Sequence, residues 1–342
     1  MAGAICLRPS SADDSAACYN RLVNMRQREQ GIARERKVEQ STSAVLMIRP
    51  ARFYPNPETA ADNAFQREPP GDEAIPLTER ARVEFDHAVE TLRTHGVTVH
   101  VVDDTVTPEK PDAVFPNNWI STHHDGRIAL YPMFSPARRR ERRIDIIDEL
   151  RRHYRVGAVI DYSACESDGQ CLEGTGSLVL DYVHRVAYVS LSKRAHPEPL
   201  RKFCAEFAFE PVTFTSVDQA GQPIYHTNVM MCVGTDFALV GLGSIPDGEE
   251  RRRVRDRLEK SGKQIVELVP EQIANFAGNA IELQSDREKL LVLSARGLAA
   301  LSPEQVGALE RHARIVPLTL PTIELAGGSA RCMIATIHLP SL

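Results

Sequence analysis

The sequence predicts an α/β fold, a five-bladed propeller in which five ββαβ modules surround a pseudo-fivefold axis. The first observation is a repeat, in which an apolar strand opened by a small or polar residue precedes a second strand, an amphipathic helix and a third strand. Its opening residues, spaced 58, 52, 51 and 53 positions apart, are Asn118, Gly176, Asn228, Asn279 and Cys332. The second observation is that the fifth unit has only its first strand, while residues 44–50 provide a matching second strand. Pairing of these two segments would complete the ring and leave no free edge.

The remaining strands of the modules are short apolar runs. Second strands are expected at 128–133, 186–191, 237–242 and 290–295, and third strands at 97–102, 156–161, 211–215, 264–269 and 314–318. The dipeptide Asp125–Gly126 precedes the first of these second strands and is a strong hairpin signal. The two strands on either side of this turn are therefore expected to form a hairpin.

Helices are predicted between the second and third strands. The helix expected at 79–95 ends before Gly96 and has an apolar face formed by Ala81, Phe85, Ala88, Val89 and Leu92. A second helix has the i, i+3, i+4, i+7 pattern of Leu200, Phe203, Cys204 and Phe207. Asp247 with Glu250, and Ser302 with Gln305, have the spacing of N-terminal caps.

Residues 1–43 differ in composition from the rest of the sequence. They are polar, have no sustained apolar periodicity, and lack the continuous apolar core of a secretory signal. Several acidic residues argue against an organelle transit peptide. We therefore predict a disordered N-terminal tail at 1–43 and a single catalytic domain at 44–342.

Composition excludes several classes of function. The net charge of −5 and pI of about 6.1 give no basic face for nucleic acid, and the Arg-rich stretch 138–143 is interpreted as the solvated start of a helix. No run of eighteen apolar residues predicts a membrane span. The seven cysteines are scattered without CxxC spacing, which favours reduced thiols, a cytoplasmic location and no metal site.

The repeat brings potentially catalytic side chains to one centre. Taken singly, each is more typical of a buried thiol, a structural histidine or a turn residue. Together, Cys332, His226, Glu173 and the pair Asn117 and Asn118 lie at or beside opening positions. A cysteine and a histidine in one pocket form a nucleophile–base pair, in which an imidazolium would lower the pKa of the thiol. A carboxylate can orient the histidine or bind a substrate N–H, and asparagine amides can donate to an oxyanion.

These segments resemble a known superfamily. The stretches FPNN (115–118), LEGTGS (172–177) and YHTN (225–228), with a cysteine near the C-terminus, resemble the guanidino-group-modifying enzymes of the pentein fold. The stretches 45–66, 111–119 and 330–340 resemble most closely the citrulline-utilising hydrolases, and the resemblance covers roughly 44–342. It implies that Cys332 is the nucleophile, His226 the general acid and base, and Glu173 the acid of the E–G motif.

The sequence departs from deiminases at two positions of this pattern. Asn118, three residues after Phe115, and Asn228, two residues after His226, stand where deiminases have acids. Paired carboxylates suit a guanidinium, which only donates hydrogen bonds. A neutral ureido group replaces one nitrogen by a carbonyl oxygen, which an asparagine can bind through its NH₂ group. Asn118, Asn228, Asn117 and Phe115 are therefore the predicted substrate-binding residues.

The predicted activity is hydrolysis of citrulline to ornithine, ammonia and carbon dioxide through a covalent thiol intermediate, with no metal or organic cofactor. The alternatives are an arginine deiminase or dimethylarginine-type hydrolase, an amidinotransferase, and a non-catalytic binding module. The expected partner is a small amino acid, without nucleic acid or membrane, and a homo-oligomer is left open. Gln66, Arg49 and Arg331 are candidate ligands of the substrate α-carboxylate, with no spacing argument to choose among them.

Overall fold

The computed structural model describes residues 38–69 and 75–342. In chain order the strands are β1 (Ala44–Arg49), β2 (Thr98–Asp103), β3 (Ile120–Thr122), β4 (Arg127–Leu130), β5 (Ala158–Asp161), β6 (Val179–Asp181), β7 (Val186–Ser190), β8 (Glu210–Phe214), β9 (Met231–Val233), β10 (Phe237–Val240), β11 (Gln264–Glu267), β12 (Ile281–Gln284), β13 (Lys289–Ser294), β14 (Arg314–Leu318) and β15 (Ala335–Thr336). The helices are α1 (Leu77–Thr94), α2 (Pro136–Arg139), α3 (Ile144–His153), α4 (Gly174–Ser177), α5 (Pro197–Phe207), α6 (Thr227–Met230), α7 (Gly248–Lys260), α8 (Pro270–Ala274), α9 (Ala295–Ala300) and α10 (Pro303–Glu310).

The strands form five three-stranded sheets, which confirms the predicted five-module α/β architecture. The sheets are β3–β4–β5, β6–β7–β8, β9–β10–β11, β12–β13–β14 and β15–β1–β2. In each, the first strand pairs antiparallel with the second, and the second pairs parallel with the third. A parallel pair needs a crossover connection, and the helix between those two strands provides it.

The predicted pairing of the two distant segments is confirmed. Val45 lies opposite Thr336, and Leu46 lies opposite Ala335. The first strands of neighbouring modules also contact one another, including β6 with β9, β9 with β12 and β15 with β3. These contacts bring the segments that precede the first strands to the centre of the molecule.

Local sequence explains the helices that were predicted. In α1 the five apolar residues expected on one face are all buried, and the helix ends before Gly96, whose φ of +84° favours glycine. Ser302 and Gln305 form the predicted capping box, and Asp247 accepts hydrogen bonds from two backbone N–H groups at the start of α7.

The structure bears on two predicted boundaries. The predicted disordered tail lies outside the described residues as far as residue 37, whereas the compact unit already begins at Glu39. The Gln40 side chain donates to the carbonyls of Leu180 and Val233, and the Thr42 hydroxyl donates to the carbonyl of Ile337. Polar side chains that satisfy strand ends make no apolar pattern, so the sequence contains no signal for these contacts, and the boundary at residue 43 stays a prediction. The opening residues lie in turns or single-turn helices, two or three positions before their strands rather than at the strand starts.

Candidate active site

Turns from different modules meet at a buried cavity. Its walls include Asn118, His226 and Cys332, together with the side chains of Phe115, Asp112 and Tyr225. Asn118, His226 and Cys332 come from the segments before β3, β9 and β15, respectively. The repeat therefore places them in one site although they are far apart in sequence.

Glycines allow the turn after Glu173 to approach the other turns closely. A Cβ atom on Gly174, whose φ is +45°, would lie 2.4 Å from the carbonyl oxygen of Asn117. A Cβ atom on Gly176 would lie 2.2 Å from Nδ2 of Asn118 and 2.9 Å from the His226 ring. Any larger residue at either position would push these turns apart.

Glu173 orients His226. Oε2 of Glu173 accepts a hydrogen bond from Nε2 of His226 at 2.7 Å, and Oε1 accepts one from the backbone N–H of Phe134 at 2.9 Å. A carboxylate only accepts, so Nε2 carries the proton and Nδ1 of His226 is the basic nitrogen. Of the two roles that the sequence left open for Glu173, this hydrogen bond matches orientation of the histidine rather than binding of a substrate N–H.

Burial sets the charges of this pair. Burial lowers the pKa of His226 to about 4, although the bond to Glu173 partly opposes this effect. Burial alone would raise the pKa of Glu173, but Arg194, the His226 bond and Arg138 lower it to about 2. Burial therefore favours a carboxylate paired with a neutral imidazole, and it opposes the imidazolium that the sequence analysis expected.

Two asparagine amides contact the candidate nucleophile. Nδ2 of Asn228 lies 3.4 Å from Sγ of Cys332, and Nδ2 of Asn279 lies 3.3 Å from the same sulfur. Asn279 is held in turn by the carbonyl of Asn228 and by the backbone N–H of Arg331. N–H donors stabilise a thiolate, so these amides can supply what the imidazolium was expected to supply. The sequence marked Asn279 as an opening residue but gave it no role.

Arg138 holds Asn118 in one orientation. Nη1 of Arg138 donates to Oδ1 of Asn118 at 2.8 Å, so the NH₂ group of Asn118 has no protein partner. Arg138 is 3% exposed and forms two hydrogen bonds with Glu141. Although burial opposes its charge, Glu141 and Asp112 raise the pKa of Arg138.

The prediction of a solvated basic stretch at 138–143 is therefore wrong at its first residue. A run of arginines is usually exposed, and the sequence could not show that Arg138 is buried next to carboxylates. Arg194, also lining the cavity, was missed for the same reason and pairs with Asp62 at 2.7 Å.

Not every predicted ligand reaches the cavity. Phe115 lines it, whereas Asn117 is fully buried beside it and its side-chain amide has no partner. Arg49 pairs with Asp86 at the surface, and Gln66 donates to the backbone of the 56–66 loop. Arg331 lines a different cavity. None of the three candidates for the α-carboxylate therefore lines the active-site cavity.

The described residues contain no His, Cys, Asp or Glu cluster that could hold a metal ion. Within residues 38–69 and 75–342, no helix is long and apolar enough to span a bilayer. The five cysteines in these two ranges are all free and buried.

Fold and site together define a hydrolase of linear C–N bonds in the guanidino-group-modifying pentein superfamily. Residues 49–339 match the model of the family described as "N,N dimethylarginine dimethylhydrolase, eukaryotic", and the chain belongs to that family. No curated protein matches the sequence significantly.

Similar solved structures share the fold. The N-terminal domain of the cyanobacterial arginine dihydrolase ArgZ, bound to product, superposes with a TM-score of 0.67 at 18% identity, covering 87% of this chain and 98% of that chain. Unliganded AgrE gives a TM-score of 0.67 at 17% identity, covering 87% of this chain and 39% of that chain. A dimethylarginine dimethylaminohydrolase adduct with S-methyl-L-thiocitrulline gives 0.60 at 15% identity, covering 86% and 98% of the two chains.

Proposed function

We propose that this chain hydrolyses the ureido group of citrulline, with Cys332 as the nucleophile and His226 as the acid and base. The observation that carries the proposal is a pair of unsatisfied amide groups, one on Asn118, which lines the cavity, and one on Asn228, which contacts Cys332 beside the cavity. The NH₂ group of Asn118 and the Oδ1 atom of Asn228 are both buried without a protein partner. A ureido group presents one carbonyl oxygen and N–H donors, so a free donor and a free acceptor are complementary to it.

Apart from Asp112, the carboxylates around the site are already engaged, which disfavours a guanidinium. Glu173 accepts from His226 and Phe134, Glu141 binds Arg138, and Asp62 binds Arg194. A buried guanidinium needs carboxylate partners to offset its lost hydration. The amides at positions 118 and 228 give it none.

The same cavity offers charges for an amino-acid end. Asp112 and the guanidinium groups of Arg138 and Arg194 all line it. An α-ammonium group suits the carboxylate of Asp112, and an α-carboxylate suits a guanidinium. These residues take the role for which the sequence could not choose a candidate.

The proposed reaction has two stages. The thiol proton of Cys332 passes to Nδ1 of His226, and the sulfur attacks the ureido carbon. The bond to the δ-nitrogen then breaks as the His226 imidazolium protonates the leaving amine, giving ornithine and an S-carbamoyl enzyme. His226 next takes a proton from water, whose oxygen attacks the carbamoyl carbon and displaces the thiolate. The released carbamic acid decomposes to ammonia and carbon dioxide.

Hydrolysis of arginine or a methylated arginine is the second candidate, and the comparisons favour it over citrulline. The family is that of dimethylarginine hydrolases, and ArgZ, one of the similar structures, is an arginine dihydrolase. Removal of two nitrogens from arginine requires hydrolysis of a guanidino group and then of a ureido group. The two candidates therefore share the second chemical step and differ in whether the first occurs.

One set of incubations separates the candidates. The full chain is incubated with citrulline, arginine or dimethylarginine, and ornithine, citrulline, ammonia and dimethylamine are measured. Ornithine from citrulline without turnover of the other substrates supports the proposal. Citrulline formed from arginine or dimethylarginine assigns the second candidate, and product formation only with an added amine acceptor assigns an amidinotransferase. The cytoplasmic location and any oligomer stay predictions.

A further inference from the structure

A second cavity lies among the first strands of the modules, and we call it the rear cavity. Its walls come from β6, β9 and β12, and it shares no lining residue with the active-site cavity. Arg331, Tyr182 and His338 line it. Arg331 precedes Cys332 in sequence, so consecutive residues face two different cavities.

The guanidinium of Arg331 forms one hydrogen bond and no ion pair in the described part of the chain. Its hydrogen bond there goes from Nη1 to the carbonyl of Ile334 at 2.7 Å, and no described carboxylate forms an ion pair with it. Burial lowers the pKa of Arg331, as expected for a desolvated cation without a carboxylate partner. Glu282 also lines the rear cavity, but its oxygens accept hydrogen bonds from Ser41 and Thr235.

Two further donors in the rear cavity are unsatisfied. His338 is 5% exposed, and its Nδ1 atom has no hydrogen-bond partner. The Tyr182 hydroxyl interacts with the Thr336 side chain but makes no hydrogen bond of good geometry, and the Tyr182 and His338 rings lie 4.0 Å apart. A phenol hydroxyl and an imidazole N–H can both donate to an anion. Buried polar groups without partners are rare, and one unpaired cation beside two free donors matches a single negative charge.

We propose that the rear cavity binds a small monovalent inorganic anion on Arg331, with the Tyr182 hydroxyl and the His338 Nδ1–H as additional donors. The anion neutralises a guanidinium that the described residues leave unpaired. The site also connects to the nucleophile, because the backbone N–H of Arg331 donates to Oδ1 of Asn279, and Nδ2 of Asn279 contacts Sγ of Cys332. An occupied site therefore restrains the turn that carries Cys332.

Anion titration of the full chain tests the proposal. The protein, freed of halide in sodium gluconate, is titrated with chloride, bromide, nitrate or bicarbonate at constant ionic strength while the melting temperature is recorded. We expect a saturable rise of about 2–4 °C at ten times Kd, because a ligand that binds only the folded state stabilises it by mass action. If only chloride and bromide raise the melting temperature, the site binds a spherical anion. If only nitrate and bicarbonate raise it, the site binds a planar oxyanion.

Variants and crystals locate the effect. Arg331→Gln should abolish the rise, whereas Arg252→Gln, the same change at an exposed arginine, should keep it. Crystals soaked in bromide should show an anomalous peak within hydrogen-bonding distance of the Arg331 guanidinium, which does not depend on folding of the variant. A rise that does not saturate, an equal rise in Arg331→Gln, or no bromide peak in the rear cavity refutes the proposal.

Discussion

The Nε2 atom of His226 lies 2.7 Å from the Oε2 atom of Glu173, and neither side chain is more than 2% exposed. This pair is the central polar contact of the site. It fixes the tautomer of the histidine and leaves Nδ1 as the nitrogen that can accept a proton in the proposed mechanism. It also provides a negative charge for the imidazolium that forms when the base accepts a proton.

Replacement of the Glu173 carboxylate by an amide tests this relationship. Glu173→Gln removes the charge that stabilises the imidazolium, so we expect kcat/KM to fall by about 10²-fold, within the range for acid–base catalysis. The Glu173 charge raises the pKa of His226, so its loss should lower that pKa below about 4. The acid limb of the pH profile should therefore move to lower pH, not higher.

The control for this variant is Glu206→Gln, the same change at an exposed carboxylate that pairs with Arg127. Its kcat/KM and pH profile should match those of the unmodified protein. An acid limb of Glu173→Gln that moves to higher pH would show that Glu173 does not stabilise the imidazolium.

Substitution of the candidate nucleophile should remove turnover without unfolding the protein. In Cys332→Ser a hydroxyl, whose pKa is far above that of a thiol, replaces the sulfur that two amides contact. We expect activity below detection, with the melting temperature changed by only a few degrees. The measurement is ornithine or citrulline release alongside a thermal melt.

Cys165→Ser is the matched control, because Cys165 is buried but does not line the active-site cavity. It should keep its activity. Near-normal turnover by Cys332→Ser at normal folded content would remove Cys332 from the mechanism.

Deletions that end at residue 37 or at residue 43 should affect stability differently. Deletion of residues 1–37 leaves every hydrogen bond of Gln40, Ser41 and Thr42 in place. Deletion of residues 1–43 removes these bonds and leaves Glu282 without its Ser41 partner, and a lost buried partner typically costs about 1–3 kcal/mol. We expect only the longer deletion to lower the free energy of unfolding measurably, by urea titration. Equal stability of the two variants would place the boundary at residue 43 after all.

Periodicity predicted the fold well because each module repeats the same apolar pattern. The pairing of Val45 with Thr336 followed from counting strands, and the apolar face of α1 followed from helical spacing. The site was less accessible to this reasoning. Arg138 pairs with Glu141, three residues along the chain, but sequence gives no signal that the pair is buried beside Asp112 of another turn. A role for Asn279 could be inferred only from its distance to Cys332, which the folded structure defines.

Exchange of both asparagines for aspartates tests what the site recognises. In the present site the free NH₂ group of Asn118 and the free Oδ1 atom of Asn228 are complementary to a ureido group. Asn118→Asp with Asn228→Asp replaces the donor by an acceptor and adds two carboxylates beside a cavity that holds Asp112. A lost hydrogen bond to a buried polar group costs about 1–3 kcal/mol, and about 1.4 kcal/mol is a factor of ten. Citrulline hydrolysis should therefore fall by about one to two orders of magnitude.

The same double variant should bind arginine better, because a guanidinium gains carboxylate partners. Mutual repulsion raises the pKa of crowded carboxyl groups, so the gain should grow as the pH rises and the second aspartate ionises. The measurement is kcat/KM for citrulline and arginine at several pH values, with Asn275→Asp, an exchange at an asparagine that donates to the Glu271 carbonyl outside the site, as the control. A preference that does not move towards arginine in the double variant would mean that these amides do not recognise the ureido oxygen. If the unmodified protein prefers arginine, hydrolysis of the guanidino group would be assigned to this site as well.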